Sequence, residues 1–183
     1  MNNAKPVSQV PFSDAVGHYA TTIGRLLGAD ADTRRVLEDA ATFLDLKTYG
    51  PVQGRLRFAE FDHWSAVQET LLFYREHWDA PGGTPGSLNG ELIPFTSRIL
   101  AVADVWARLT AADSPELSHQ QSLIVLRSRA GYHFDPRVVE AVAEIVDRQP
   151  VGDLAETAYR PRLRNMPVPQ LVTRLHPVTG DLV

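Results

Sequence analysis

Histidine and carboxylate side chains are the groups of this sequence that could bind a metal ion or transfer a proton, since its 183 residues include no cysteine. None of the six histidines stands four residues from another or in a cluster with metal-ligand spacing. We interpret them as surface histidines or as buried ones with satisfied hydrogen bonds; a metal site rebuilt from His63 and His77 is the less favoured alternative. The six are His18, His63, His77, His119, His133 and His176.

One acidic residue stands in a strongly apolar stretch. Asp104 lies between Ala103 and Val105, and a buried carboxylate without a partner is costly. We therefore predict that Asp104 is paired with a cation and is the remnant of a site.

Two other kinds of site are not supported. No arrangement of Ser, His and Asp indicates a catalytic triad. The run rich in Gly and Pro at 81–90 lacks the Gly-Lys-Ser/Thr ending of a phosphate-binding loop and does not follow a strand. We interpret this run as a structural turn.

The elements that position these residues are predicted to be helices, because apolar residues repeat every three or four positions and no strand pattern is present. Ser13 or Asp14 is expected to cap the first helix and Gly28 to end it, while Ser118 and Asp135 are expected to cap the last two. Trp64, Trp78 and Trp106 are expected in the core. The predicted fold class is all-α. The helices begin near Ser13, after Asp30 or Asp32, near Phe61, near Pro94, at Ser118 and at Pro136.

Length and composition indicate one domain of ordinary globular character. We predict an N-terminal tail over 1–11, a helical domain over 12–149 and an extended, proline-rich C-terminal tail over 150–183. The net charge of −4 without a Lys/Arg run gives no reason to expect a nucleic-acid partner. No apolar run approaches the roughly 20 residues that span a membrane, and no signal-peptide pattern is present. The expected location is cytoplasmic, which the lack of cysteine fits.

Three segments carry a more specific pattern. They read Glu-His-Trp-Asp-Ala-Pro-Gly-Gly-Thr-Pro from Glu76, Arg-Ile-Leu-Ala-Val-Ala-Asp-Val from Arg98, and Gly-Tyr-His-Phe-Asp-Pro from Gly131. In order and approximate spacing they resemble the HD-GYP family, phosphohydrolases of the HD superfamily that cleave cyclic di-GMP. The resemblance covers about residues 12–148 and implies an HD-type helical bundle.

The same resemblance implies that most of the family's metal ligands are missing. Leu44 stands where the family has the His of its His-Asp pair, and an earlier family histidine falls near Phe12. The paired histidines that precede Glu76 in the family pattern are replaced by Tyr74 and Arg75. A hydrolytic metal cluster needs several ligands at about 2 Å from each ion, so we expect no metal and no catalytic residues.

What remains of the site is Asp45, Arg75, Glu76 and Asp104. We hypothesise that the Arg75 guanidinium takes the place of a metal ion and pairs with Asp45, Asp104 or both, because carboxylates facing a core need a positive partner. If a metal binds at all, Asp45 and Asp104 are its expected ligands.

The loop that follows Glu76 is altered as well. Thr84 replaces the tyrosine of the family motif, and one residue is inserted. Because the corresponding family loop is an exposed functional surface, we consider an interaction role for Gly82, Gly83, Thr84 and Pro85.

The resemblance therefore predicts a catalytically inactive HD-GYP-like domain that acts as a regulatory or protein-interaction module in bacterial cyclic di-GMP-type signalling. The expected partner is a protein: a second copy of the chain, a diguanylate cyclase or a response regulator. Arg160, Arg162 and Arg164 of the C-terminal tail form a candidate docking segment.

Two alternatives stay open. One is an active phosphodiesterase on cyclic di-GMP or another nucleotide, which would need Fe or Mn held by Asp45, Glu76, Asp104 and further histidines. The other is a receptor that binds cyclic di-GMP without cleaving it. Such a receptor would use Arg75, Arg98 and Arg108, although the family's Arg-Pro-Tyr-Arg segment is shortened here to 113–116.

Overall fold

The computed structural model describes residues 11–49, 63–79, 83–111 and 117–148, with side chains described in the first range as far as residue 44. These residues form six α-helices and no strand, which confirms the all-α prediction. None of these helices is long and apolar enough to cross a membrane. The helices are α1 (Phe12–Leu26), α2 (Ala31–Tyr49), α3 (Trp64–Phe73), α4 (Phe95–Leu109), α5 (His119–Arg127) and α6 (Pro136–Arg148).

Most of the predicted helix signals are used as expected. Gly28 ends α1 with a φ of +81°, a conformation that favours glycine. The Asp30 carboxylate accepts a hydrogen bond from Thr33 N at 2.8 Å at the start of α2. Ser118 and Gln121 form a reciprocal capping box on α5, and Asp135 Oδ1 accepts from Arg137 N at 2.9 Å at the start of α6.

The start of α1 differs from the prediction. The helix begins at Phe12 after Pro11, with no side-chain cap, so the expected capping by Ser13 or Asp14 is wrong. The Pro11 carbonyl accepts the hydrogen bonds of Asp14 N and Ala15 N. Proline supplies this start because its ring holds φ near the value a helix entry needs.

Helix α4 is the central element. It contacts each of the other five described helices, and all but a few of its residues are buried. Trp106 is 1% exposed, as predicted for a core residue, whereas Trp64 and Trp78 are only partly buried. Since Asp104 belongs to α4, its carboxylate is placed at the middle of the bundle.

The loop before α4 is only partly irregular. A short 3-10 helix, Gly90–Leu92, follows the irregular residues 83–89. Residues 1–10, 50–62 and 149–183 lie outside the described residues. The predicted domain boundaries and both tails therefore stay predictions, as does the part of the third predicted helix around Phe61.

Candidate functional site

The buried carboxylate of Asp104 is paired, as the sequence predicts, but with an unexpected partner. Asp104 is 3% exposed, and its Oδ1 accepts hydrogen bonds from Arg108 Nε at 3.1 Å and Arg108 Nη2 at 2.9 Å. The Arg108 guanidinium lies over the Phe12 ring, 4.4 Å from its centroid. Two residues on one helix face thus neutralise each other, with an aromatic ring from α1 as the floor.

Arg75 is not the partner of Asp104, so this part of the hypothesis is wrong. Its side chain is exposed, and its Nε donates to Tyr74 Oη at 2.9 Å. The physical reason is position: Arg108 stands four residues after Asp104 and reaches the carboxylate within its own helix, while Arg75 lies beyond the end of α3. The other suggested partner, the Asp45 side chain, lies outside the described residues.

Apolar packing fills the positions where the resemblance places histidines. Phe12, Leu44 and Tyr74 are 4%, 4% and 3% exposed and belong to one apolar core. Burial raises the pKa of the Tyr74 hydroxyl, and the nearby Asp104 carboxylate adds to that effect, so the phenol stays neutral.

The donor set of the described residues does not fit the metal cluster of the family. A divalent ion needs several imidazole or carboxylate ligands. Within the ranges that the structure describes, no three His, Asp or Glu side chains come together to form such a group. The Asp104 carboxylate, whose partner Arg108 lies over the Phe12 ring, already accepts two hydrogen bonds from a fixed positive charge.

Glu76 is retained from the family pattern and holds the loop in place. It is 5% exposed, and each of its two carboxylate oxygens accepts hydrogen bonds from the loop. Gly86 N donates to Oε2 at 2.9 Å, and Ser87 N and Leu88 N donate to Oε1 at 2.8 and 3.2 Å. Ser87 Oγ adds a fourth bond at 3.3 Å. The Glu76 carboxylate therefore holds the backbone of residues 86–88 in position.

The predicted interaction loop folds back against the residues around Glu76. A Cβ built on Gly83 would lie 2.3 Å from Glu76 Cα and 2.4 Å from His77 N, so only glycine permits this approach. Thr84 N donates to the Arg75 carbonyl at 3.1 Å. Thr84 and Pro85 are exposed, and Gly82 lies outside the described residues. The interaction role of this loop stays a prediction.

A second buried ion pair joins the loop to α4 and α6. Arg98 Nη1 lies 2.8 Å from Asp135 Oδ2, with the two side chains 10% and 1% exposed. The Arg98 guanidinium lies between the rings of Trp78 and Phe95, at 5.7 and 5.5 Å from their centroids. Asp135 also caps α6, so this carboxylate ties α4 to the start of α6.

A buried histidine contact was missed by the sequence reasoning. The ring centroids of His77 and His133 are 4.2 Å apart, although 56 residues of sequence make the pair invisible to any spacing rule. His77 Nδ1 is buried and has no hydrogen-bond partner among the described residues, so the interpretation of His77 as a surface histidine or one with satisfied hydrogen bonds is wrong within that part of the chain. Burial lowers its pKa, an effect that the Glu76 carboxylate opposes. His63 lies elsewhere, with Nε2 at 3.9 Å from Asp32 Oδ1.

A comparison with protein-family models matches part of this chain. Residues 53–138 match the family described as HD domain. The matched range includes Glu76, Arg98, Asp104 and Asp135, the residues whose contacts organise the site.

Curated proteins of Vibrio cholerae serotype O1 are similar to parts of this chain. A cyclic di-GMP phosphodiesterase is 37% identical over 84 residues, covering 45% of this chain and 17% of the relative. A probable cyclic di-GMP phosphodiesterase is 30% identical over 94 residues, covering 50% and 21%. A 3′3′-cGAMP-specific phosphodiesterase is 32% identical over 122 residues, covering 65% and 24%. The chain therefore spans about a fifth of the length of these relatives.

Proposed function

We propose that this chain, whose residues 53–138 match the HD domain family, is a catalytically inactive HD-GYP-like module of cyclic-dinucleotide signalling that acts through contact with another protein. The observation that carries the proposal is the ion pair in which the Arg108 guanidinium donates two hydrogen bonds to the Asp104 carboxylate. A guanidinium cannot lose its proton in a protein, so it competes permanently with any metal ion for this carboxylate.

The surroundings of the pair support the same proposal. Hydrolysis by this superfamily depends on metal ions that activate water and bind phosphate oxygens. Here Phe12, Leu44 and Tyr74 contribute two hydrocarbon side chains and a neutral phenol at positions where the resemblance places ligands. These residues pack a core and offer no imidazole.

The contacts of the arginines favour a protein partner over a bound cyclic dinucleotide at this site. Arg98 and Arg108, two of the three arginines considered for a receptor, are each bonded to a buried aspartate. Binding a phosphate with either of them would leave an unpaired carboxylate in the core, which is costly. Arg75 remains exposed, and one cation is a weak basis for binding a doubly charged ligand.

The first experiment measures metal content and turnover on the same protein. The chain is purified without chelator, its Fe, Mn and Zn are quantified, and hydrolysis of cyclic di-GMP and 3′3′-cGAMP is followed with added Mn²⁺ or Fe²⁺. We expect metal far below one equivalent and no hydrolysis. Asp104→Asn is the matched control, because a contaminating phosphodiesterase is unaffected by it. Stoichiometric metal together with turnover that Asp104→Asn abolishes would overturn the proposal.

The second experiment addresses the partner. Sedimentation velocity tests self-association, and pairwise titration tests binding to a purified diguanylate cyclase and a response regulator. Thr84→Asp introduces a charge on the exposed loop, and Ser65→Asp introduces the same charge on the exposed face of α3. We expect at least one complex that Thr84→Asp weakens and Ser65→Asp does not. No complex with any of the three would contradict the interaction role.

A further inference from the structure

Asn89 and Gly90 form the one Asn-Gly sequence in the chain. In such a pair the backbone nitrogen of the glycine can attack the side-chain amide of the asparagine, because glycine has no Cβ to hinder the approach. Asparagine is for this reason a thermolabile residue. Asn89 is exposed, and its side chain makes no capping hydrogen bond at the start of the 3-10 helix Gly90–Leu92. Both reacting groups therefore lie on a solvent-facing loop.

The reaction consumes water and needs no enzyme. The lone pair of Gly90 N forms a bond to Asn89 Cγ, the bond from Cγ to Nδ2 breaks, and ammonia leaves with the proton that Gly90 N gives up. The product is a five-membered succinimide ring, which water opens at either carbonyl. One opening gives aspartate at position 89. The other gives isoaspartate, in which the main chain runs through the former side chain and is longer by one CH₂ group.

The folded loop holds these groups in a geometry that opposes ring closure. Asn89 has a ψ of 162°, so its backbone is extended, whereas ring closure requires the Cα–C bond to rotate until Gly90 N lies beside Cβ. Gly90 N donates to the Trp78 carbonyl at 2.7 Å, and the Asn89 carbonyl accepts from Leu92 N at 3.1 Å. The rotation moves both groups, so both hydrogen bonds must break before the reaction begins.

Two further contacts keep the loop in this conformation. Trp78 N donates to the His133 carbonyl at 3.3 Å, which fixes the residue whose carbonyl engages the reacting nitrogen. Glu76 accepts a hydrogen bond at 3.2 Å from Leu88 N, one residue before the reacting asparagine. Loops open locally at a lower cost than the whole domain unfolds. The rate of the reaction therefore depends on how often this loop opens.

We propose that Asn89 is a modification site gated by the loop: when the hydrogen bond from Gly90 N to the Trp78 carbonyl opens, Gly90 N converts Asn89 to aspartate and isoaspartate. The isoaspartate form, with its longer backbone, cannot restore this bond, and the loss of ammonia makes the change one-way. This inference goes beyond the proposed function, because it concerns a covalent change in the chain and requires no ligand, metal or partner. Failure of either proposal leaves the other unchanged.

The test follows position 89 while the full chain is incubated at mildly alkaline pH. Peptide mapping by mass spectrometry measures the conversion, with fragmentation that separates isoaspartate from aspartate, and the chain denatured in urea is the reference. Asn89→Gln is the chemical control, because its longer side chain disfavours ring closure. Glu76→Gln loosens the loop, and its matched control Glu140→Gln removes an exposed carboxylate from α6. Circular dichroism verifies that each variant is folded.

We expect Asn89 to convert at least about tenfold more slowly in the folded chain than in urea, since two hydrogen bonds oppose the reaction. Glu76→Gln should accelerate conversion in the folded chain at least about threefold. Glu140→Gln should change it by less than about twofold. The isoaspartate form, separated by ion-exchange chromatography, should show faster amide exchange at Gly90 by NMR than the unmodified chain.

Equal rates in the folded and the denatured chain would overturn the proposal, because the bond to the Trp78 carbonyl would then not gate the reaction. Equal effects of Glu76→Gln and Glu140→Gln would contradict the role of the loop. Unchanged amide exchange at Gly90 in the isoaspartate form would contradict the one-way opening. Conversion in Asn89→Gln as fast as in the wild type would show that ring closure is not the route.

Discussion

Arg108 places both Nε and Nη2 within 3.1 Å of a single oxygen of Asp104, and the two residues are four apart on α4. This geometry lets one helix carry its own counter-charge into the middle of the bundle. The carboxylate is almost fully buried, and the arginine is about one-third exposed with its guanidinium on the Phe12 ring. The charge that the resemblance assigns to metal ions is thus supplied by a side chain.

The first prediction concerns this pair. Arg108→Met keeps an apolar side chain on Phe12 but leaves Asp104 without a counter-charge. We expect the free energy of unfolding to fall by about 3 kcal/mol, the lower part of the range for a broken buried ion pair, because Arg108 is partly exposed. Urea unfolding measures this loss.

The double variant Asp104→Asn/Arg108→Met is the control. Removing both charges removes the unpaired one, so the double variant should be more stable than Arg108→Met alone. If the two single losses simply add, Asp104 and Arg108 do not depend on each other for stability, and the account of the pair given above is wrong.

The second prediction concerns Glu76, whose carboxylate accepts hydrogen bonds from three consecutive backbone N–H groups. Glu76→Gln replaces one acceptor oxygen by an NH₂ group that faces donors. We expect a loss of about 2 kcal/mol in the free energy of unfolding and faster amide exchange at Gly86, Ser87 and Leu88. Hydrogen exchange followed by mass spectrometry measures the local effect.

Glu91→Gln is the matched control for this change. Glu91 lies in the short 3-10 helix of the same loop, and its exposed carboxylate pairs with Arg137. Its loss should cost less than about 1 kcal/mol and leave exchange at 86–88 unchanged. Equal effects of the two substitutions would mean that Glu76 is not the anchor of the loop.

A comparison of Asp135, Asp104 and Glu76 shows which contacts the sequence predicts and which it does not. The start of α6 was predictable, because Asp135 followed by Pro136 is a strong local start signal. The pairing of Asp104 was predictable too, since an acid in an apolar helix needs a cation. Its partner Arg108 was also within reach, because residues four apart share a helix face. The resemblance instead predicts Arg75, which stands at a ligand position of the family pattern.

Other features could not be read from any local pattern. The groups bonded to Glu76 are backbone N–H groups ten to twelve residues away, and every non-proline residue has such a group. The contact between His77 and His133 depends on how two loops meet in the folded chain. Local sequence periodicity carries no information about either contact.

The third prediction uses the close approach of the loop at Gly83. A Cβ at this position would meet only backbone atoms, at 2.3, 2.4 and 2.6 Å, and backbone cannot rotate away as a side chain can. We expect Gly83→Ala to displace the loop and to lower the free energy of unfolding by about 3 kcal/mol. Amide chemical shifts of 83–88 should move with it.

Gly28→Ala gives the comparison. Gly28 has a φ of +81° but nothing within 4 Å of a Cβ, so alanine there meets conformational strain without a clash, at a cost of about 1–2 kcal/mol. Gly83→Ala must be the more damaging of the two. If Gly28→Ala costs more, the backbone approach at Gly83 is looser than described.

The fourth prediction is a pH dependence with a defined sign. Burial lowers the pKa of His77, and burial likewise lowers the pKa of His119. Both pKa values are then below the value of about 6.5 in the unfolded chain, so the unfolded state binds more protons in this interval. The free energy of unfolding should therefore be insensitive to these groups above about pH 6.5 and should fall as the pH drops below it.

The readout is the urea midpoint between about pH 5 and pH 7.5, compared among single variants, because carboxylates shared by all of them also titrate at the acidic end. His77→Gln removes one of the two groups and should flatten the decline below pH 6.5, and His119→Gln should do the same. His18→Gln, which removes an exposed histidine of α1, is the comparison variant. A decline that is as steep in His77→Gln as in the wild type would show that the buried imidazole of His77 does not resist protonation.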